Sequence, residues 1–195
     1  MVVVKDKVRA DIVNVARKIF THQGFKKTTM EDVAHGSGKG KSSIYYYFQS
    51  KEEIFEAVVE KEAEELRIAL EKVIKSGKDP MERLKDYIMF RLYHARTVSN
   101  FYAALKEESL NQMHFVEGVR KLFEEQEFQM VAEILETGIH EGAFKINNSK
   151  IGSIAITTML KGLELPLFLN EYTRAEKEKL LEDLIRILFY GLIKR

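Results

Sequence analysis

Val8, Ile12, Val15, Ala16, Ile19 and Phe20 recur at three- and four-residue spacing, and the same period returns in almost every later segment of the chain. A spacing that averages 3.6 residues places side chains on one face of a helix, whereas a strand alternates with period two. Only 2 prolines occur in 195 residues, so little interrupts helices once they start. The pattern predicts an all-α protein of about nine helices with no strand. It excludes sandwich, barrel and doubly wound α/β architectures.

The breaks divide this helical text. Gly24 ends the first helix. Thr28 and Thr29 supply an N-cap for a short second helix carrying Met30, Val33 and Ala34, which Gly36-Ser37-Gly38 stops. A third short segment runs from Lys41 to Phe48. Ser50 and Glu53 then form a capping box that launches a long helix with Ile54, Phe55, Val58, Val59, Leu66 and Leu70 on its buried stripe. Asp79-Pro80 with Glu82 reads as the start of another helix. A break near 97–100 precedes a short helix. A long helix follows from about Phe115 to His140, ended by Gly142. Ser149 is expected to cap the eighth helix and Thr173 the last.

Charge separates two parts of the chain. Residues 1–51 hold 10 Lys/Arg against 4 Asp/Glu, a net of +6, and the remaining 21 against 26 give −5. A basic head of about fifty residues on an acidic body fits a head that meets a polyanion. The expected domains are residues 1–50 and residues 51–195. No apolar run approaches the ~20 residues of a membrane span, and the opening MVVVKDKVRA is charged too soon for a signal peptide. With zero cysteines, disulfides, thiol catalysis and Cys-ligated zinc are excluded. The expected location is cytoplasmic, with no membrane partner.

The segment KSSIYYYF, Lys41 to Phe48, has one face too few for its aromatics. With Ile44 at the centre of the buried face, Phe48 lies beside it and Tyr47 flanks it. Ser42, Ser43 and Tyr46 then point outward, with Tyr45 and Lys41 at one margin. Three short helices followed by a capped long one have the layout of a helix-turn-helix, whose last short helix enters the DNA major groove. Small, hydroxylic and basic groups on its outer face can approach base edges and phosphates without burying an unpaired charge.

The stretch GFKKTTMEDVAHGSGKGKSSIYYYFQSKEEIF resembles the DNA-binding segment of TetR/AcrR-type transcriptional regulators. Gly24, Phe25, Thr28, Thr29, Val33, Ala34, Gly38, Ile44, Tyr45, Tyr46, Tyr47, Phe48, Ser50, Lys51 and Glu52 fall in register without a gap. The resemblance implies base-edge contacts from Lys41, Ser42 and Tyr45, and phosphate contacts from Thr29, Ser43, Tyr46, Tyr47 and Lys51. The turn departs from the family pattern: Lys39 replaces an apolar residue and Gly40 replaces a serine cap.

For the body, the resemblance implies a homodimer formed through the last two helices. It also implies a pocket for an unknown small-molecule effector, with Tyr87, Phe90, His94, Tyr102, Met130, Met159 and Glu164 as candidate contacts. Each of these residues also serves as ordinary helical core or surface. The expected function is a homodimeric DNA-binding regulator, a repressor released from a pseudo-palindromic duplex operator by its ligand. The alternative is a DNA-binding dimer without an inducer, governed by a protein partner or by abundance. A third reading, a helical enzyme with an incidental basic head, finds little in the sequence. There is no Walker loop, no HExxH spacing and no marked nucleophile. Glu136 and His140 lie four apart on a helix, but such pairs are common, and no metal or cofactor is expected.

Overall fold

The computed structural model describes residues 2–93, 99–106, 114–169 and 173–191. These residues form helices and connecting turns, with no strand among them. In chain order the helices are α1 (Val2–Gln23), α2 (Met30–Gly36), α3 (Lys41–Tyr47), α4 (Lys51–Ile74), α5 (Pro80–Tyr93), α6 (Ser99–Lys106), α7 (His114–His140), α8 (Ser149–Leu169) and α9 (Arg174–Tyr190). They fall into two compact units. The first is Met1–Leu66 with Thr97–Phe123, and the second is Arg67–Arg96 with Glu124–Arg195.

In the first unit, α1 and α4 carry the apolar faces that their periodicity demands. Ile12, Val13, Ala16 and Phe20 of α1 are buried, as are Ile54, Phe55, Val58 and Val59 of α4. Phe20, Phe25 and Phe55 form one aromatic cluster with ring centroids 4.8–5.8 Å apart. Phe25 enters this cluster because Gly24 ends α1, and Thr28 braces the same turn by donating to the Gly24 carbonyl at 2.9 Å. Between α2 and α3, Gly38 takes φ +63, a left-handed conformation that only glycine adopts without cost.

The capping signals act as expected, with one exception. Thr29 begins α2 in a reciprocal box with Asp32, and Thr173 begins α9 in the same way with Glu176. The Ser50 hydroxyl accepts from the Glu53 N–H at 3.2 Å. Asp79 accepts from the N–H groups of Met81 and Glu82 at 2.9 and 3.1 Å, which opens α5. At α8 the expectation fails. Asn148, not Ser149, accepts from the N–H groups of Lys150 and Ile151 at 3.0 and 3.2 Å. Ser149 instead donates to Glu136 on α7 at 3.0 Å. Asparagine and serine compete closely as caps, and tertiary contact with Glu136 draws the serine away.

In the second unit, Leu84, Tyr87 and Ile88 of α5 are buried, as are Val131, Ile134 and Leu135 of α7 and Ile156 and Leu160 of α8. Two glycines permit close approach. A Cβ on Gly152 would lie 2.8 Å from Leu135 Cδ1, and one on Gly138 would lie 2.1 Å from the Phe144 ring. The chain turns back on itself after α7, and Phe144 covers the last turn of the helix it has just left. Inside this unit Arg91 and Glu127 form a buried ion pair, and the Tyr87 hydroxyl donates to the same carboxylate at 3.3 Å.

Candidate nucleic-acid interface

Helix α3 is short, and its inner face is fully committed. Ile44 and Phe48 are both 0% exposed, so two residues four apart anchor it. The neighbouring positions are then forced outward. Tyr45 is 39% and Tyr46 65% exposed, while Tyr47 is half-buried at the margin. Lys41 and Ser42 are exposed and Ser43 is half-buried. Tyr46 and Tyr47 stand edge to face with centroids 5.0 Å apart, which pre-orders the two rings on the outer surface. The structure therefore brings Lys41, Ser42, Ser43, Tyr45, Tyr46 and Tyr47 onto one seven-residue helix, with both outward tyrosines clear of the core.

The remaining sequence candidates sit around this helix with more engaged side chains. Thr29 is exposed at the start of α2, and its hydroxyl donates to Asp32 Oδ2 at 2.7 Å while accepting from the Asp32 N–H at 3.2 Å. These bonds hold the Asp32 carboxyl below the usual carboxylate range, the Thr29 side chain contributing most. Lys51 is half-buried. Its ammonium donates to the Phe25 carbonyl at 2.9 Å and lies 4.3 Å from the Phe25 ring centroid. It thus pins the start of α4 to the turn after α1 in the DNA-free protein.

Two features escaped the sequence reading. Lys41 Nζ is paired with Glu31 at the start of α2, and it also lies 6.0 Å from the Tyr45 ring centroid. The lysine hydrogen bond holds the Glu31 carboxyl below its ordinary range, and Glu31 in turn raises the lysine. An acid ten residues earlier gives no signal until α2 and α3 are packed. Arg9 of α1 places its guanidinium 4.8 Å from the Phe48 ring centroid, covering the end of α3. Gly40 opens α3 without a side-chain hydrogen bond, in keeping with the loss of the serine cap.

The effector candidates lie on several helices of the chain. Tyr87 and Met130 are buried, and Phe90 and Met159 are half-buried. His94 lies outside the described residues, as do the side chains of Tyr102 and Glu164. A groove of about 580 Å³ in the second unit is lined by Met81, Lys85 and Met89 of α5 with Ile185, Phe189 and Tyr190 of α9, and contains none of them. Among the described residues no cluster of His, Asp and Glu has the makings of a metal site. No described helix is long and apolar enough to cross a membrane.

With this geometry in hand, comparison with known proteins is direct. Residues 12–58 match the family model for bacterial regulatory proteins of the tetR family, and residues 69–194 match that for the C-terminal region of QacR-like proteins. The chain belongs to the TetR family. Its members are DNA-binding transcriptional regulators, and this chain is one of them rather than an enzyme. The HTH-type transcriptional regulator YfiR of Bacillus subtilis is 30% identical over 147 residues, covering 72% of this chain and 70% of its own. The HTH-type transcriptional repressor KstR2 of Mycobacterium tuberculosis is 28% identical over 142 residues, covering 70% and 69%. A solved transcriptional regulator from Cytophaga hutchinsonii superposes with a TM-score of 0.74 at 30% identity, covering 91% of this chain and 94% of that one. In this TetR-family regulator the tetR match, residues 12–58, takes in α2 and α3 together.

Proposed function

We propose that the protein is a homodimeric repressor of the cytoplasm. Residues 1–50 of two copies hold a pseudo-palindromic operator, and residues 51–195 carry the dimer contact and a site for a small molecule that releases the DNA. The observation that carries the DNA-reading part is the division of α3, with Ile44 and Phe48 at 0% exposure and Tyr46 at 65%. With the inner face of the helix already full, its hydroxylic and basic outer face is free to meet base edges and phosphates. Lys41, Ser42 and Tyr45 contact base edges. Thr29, Ser43, Tyr46, Tyr47 and Lys51 contact phosphates, Lys51 after giving up the Phe25 carbonyl. Two recognition helices about 34–36 Å apart would enter successive major grooves on one side of the duplex.

The dimer reading is supported by the last two helices. Ile151 and Ile154 of α8 and Ile187 of α9 are exposed, leaving apolar surface that a second copy covers. A ligand in the second unit lowers DNA affinity by its preference for a conformation in which the heads do not fit the operator. Tyr87, Phe90, His94, Tyr102, Met130, Met159 and Glu164 remain the candidate contacts for it. A second reading, a DNA-binding dimer with no inducer, draws support from one observation. Tyr87 is 0% exposed and spends its hydroxyl on Glu127 rather than on an open cavity.

The test uses duplex fragments flanking the protein's own coding sequence, with fluorescence anisotropy across a salt series and sedimentation of the free protein. The expected result is a dimer that retains one fragment with an affinity falling steeply with salt. Retention of no duplex, or binding indifferent to salt, overturns the DNA-reading assignment. A metabolite screen that never weakens the retained complex decides for the second reading.

A further inference from the structure

Helix α6 belongs to the DNA-binding unit, although the chain before it (67–96) and after it (124–195) belongs to the other. Phe101 and Ala104 bury its apolar face, Phe101 against the Phe123 ring at 5.3 Å, and a buried carboxylate on α4 meets its start. Glu62 is 0% exposed and accepts from three donors on two other helices. Arg17 Nε of α1 donates to Oε1 at 2.9 Å, Asn100 Nδ2 donates to Oε1 at 2.9 Å, and the Phe101 backbone N–H donates to Oε2 at 2.9 Å. Asn100, itself buried, extends the contact by donating to the Arg17 carbonyl at 3.2 Å and to Thr21 Oγ1 at 3.0 Å. The carboxylate therefore sits at the start of α6, where free N–H groups favour a negative charge, and joins that start to the middle of α1.

We infer that Glu62 is a positioning residue for DNA recognition: by clamping the first turn of α6 to α1 it holds the head in the conformation that binds DNA, and opening of the clamp weakens that binding. The physical argument is one of satisfaction. A buried carboxylate that loses even one donor cannot recruit water in its place, so the arrangement has a closed state and an open one with little between. Helix α1 packs against α2 and α2 against α3, and Arg9 of α1 covers Phe48, the residue that caps the end of α3. A shift of α1 is thus felt by the recognition helix. This inference rests on the DNA-reading assignment of the head and requires no ligand.

Linkage supplies the test. If the closed clamp favours DNA, then DNA must favour the closed clamp by the same factor. The probe is a duplex selected in vitro from random sequence by the wild-type protein, and the readout is amide hydrogen exchange in α3 and α6 of the full chain. In the wild type, DNA is expected to slow exchange at Phe101, whose N–H is released only when the clamp opens, by about tenfold. Asn100→Ala removes the side-chain half of the clamp while leaving Glu62 paired with Arg17, and is expected to reduce that slowing to about twofold while α3 remains protected. Glu62→Gln places an NH₂ group against a donor whichever way the amide turns. It should weaken binding of the selected duplex by no more than the wild-type slowing factor. Unchanged exchange at Phe101 on DNA binding in the wild type overturns the inference. So does full slowing in a folded Asn100→Ala protein. A loss of affinity in Glu62→Gln without any slowing in the wild type shows that Glu62 only stabilises the fold.

Discussion

Replacing Ile44 by alanine and, separately, Tyr46 by alanine divides stability from recognition on a single turn of helix. Ile44 is 0% exposed, and its truncation removes three carbons from the core of the head. At about 0.8 kcal/mol per buried methylene the transfer loss is about 2.4 kcal/mol. The cavity left under α3 brings the expected destabilisation to about 3 kcal/mol, within the range measured for such truncations. Tyr46 is 65% exposed and stands edge-on to Tyr47 at 5.0 Å, so Tyr46→Ala is expected to change stability by at most about 1 kcal/mol. Its DNA affinity should fall about tenfold, equivalent to about 1.4 kcal/mol. Because the lost phenol is neutral, the slope of log affinity against log salt should stay as in the wild type, whereas Lys51→Ala should reduce that slope by about 1. Urea unfolding followed by circular dichroism measures the first quantity, and anisotropy on a retained duplex measures the second. If Tyr46→Ala unfolds as early as Ile44→Ala, or binds DNA as the wild type does, the division of α3 into an anchoring and a reading face is wrong.

Two further outcomes follow from buried and crowded charges on α4, α5 and α7. Arg91→Met leaves the Glu127 carboxylate buried with the Tyr87 hydroxyl and without its cation, and should cost about 3–5 kcal/mol in urea unfolding. The double variant Arg91→Met, Glu127→Leu should recover most of that loss, since a well-packed apolar pair can replace a buried ion pair. Glu56 is pushed above its ordinary range, first by burial and then by the charges of Glu60 and Glu53. A raised carboxyl favours the folded state in its neutral form, a contribution complete below the unfolded value and lost as pH rises through the folded one. Glu56→Gln should accordingly be more stable than the wild type at neutral pH, and the difference should shrink to nothing as the pH falls below the ordinary glutamate range in a pH series of thermal melts.

Much of the head was legible because its signals are local. The Thr29 cap, the Ser50 cap and the four-residue step from Ile44 to Phe48 each depend on residues within one turn of one another, and helix geometry fixes what such neighbours do. Ser149 shows where this reasoning ends. Its rank as a cap is a local property, but its bond to Glu136 comes from a partner thirteen residues away on another helix. Glu31 facing Lys41 is the same case at shorter range. The effector candidates fared differently: an apolar residue at helical spacing says that it is inside, not which neighbours it meets there. The groove between α5 and α9 holds Met81, Met89 and Phe189, three residues that periodicity alone could not rank above Tyr87 or Met130.

The sequence by itself determined that this chain is all-helical, where most helices begin and end, and which residues of α3 point inward. Period, caps and glycines act over a few residues, and a run of fifteen matched positions leaves little freedom. Only the tertiary structure decided that α6 joins the first unit rather than the unit whose chain surrounds it, and that Glu62 meets its start. Arg17, Glu62 and Asn100 are separated by 45 and 38 residues. Nothing in their spacing foretells the meeting, because a buried carboxylate chooses its donors only after three helices have packed around it.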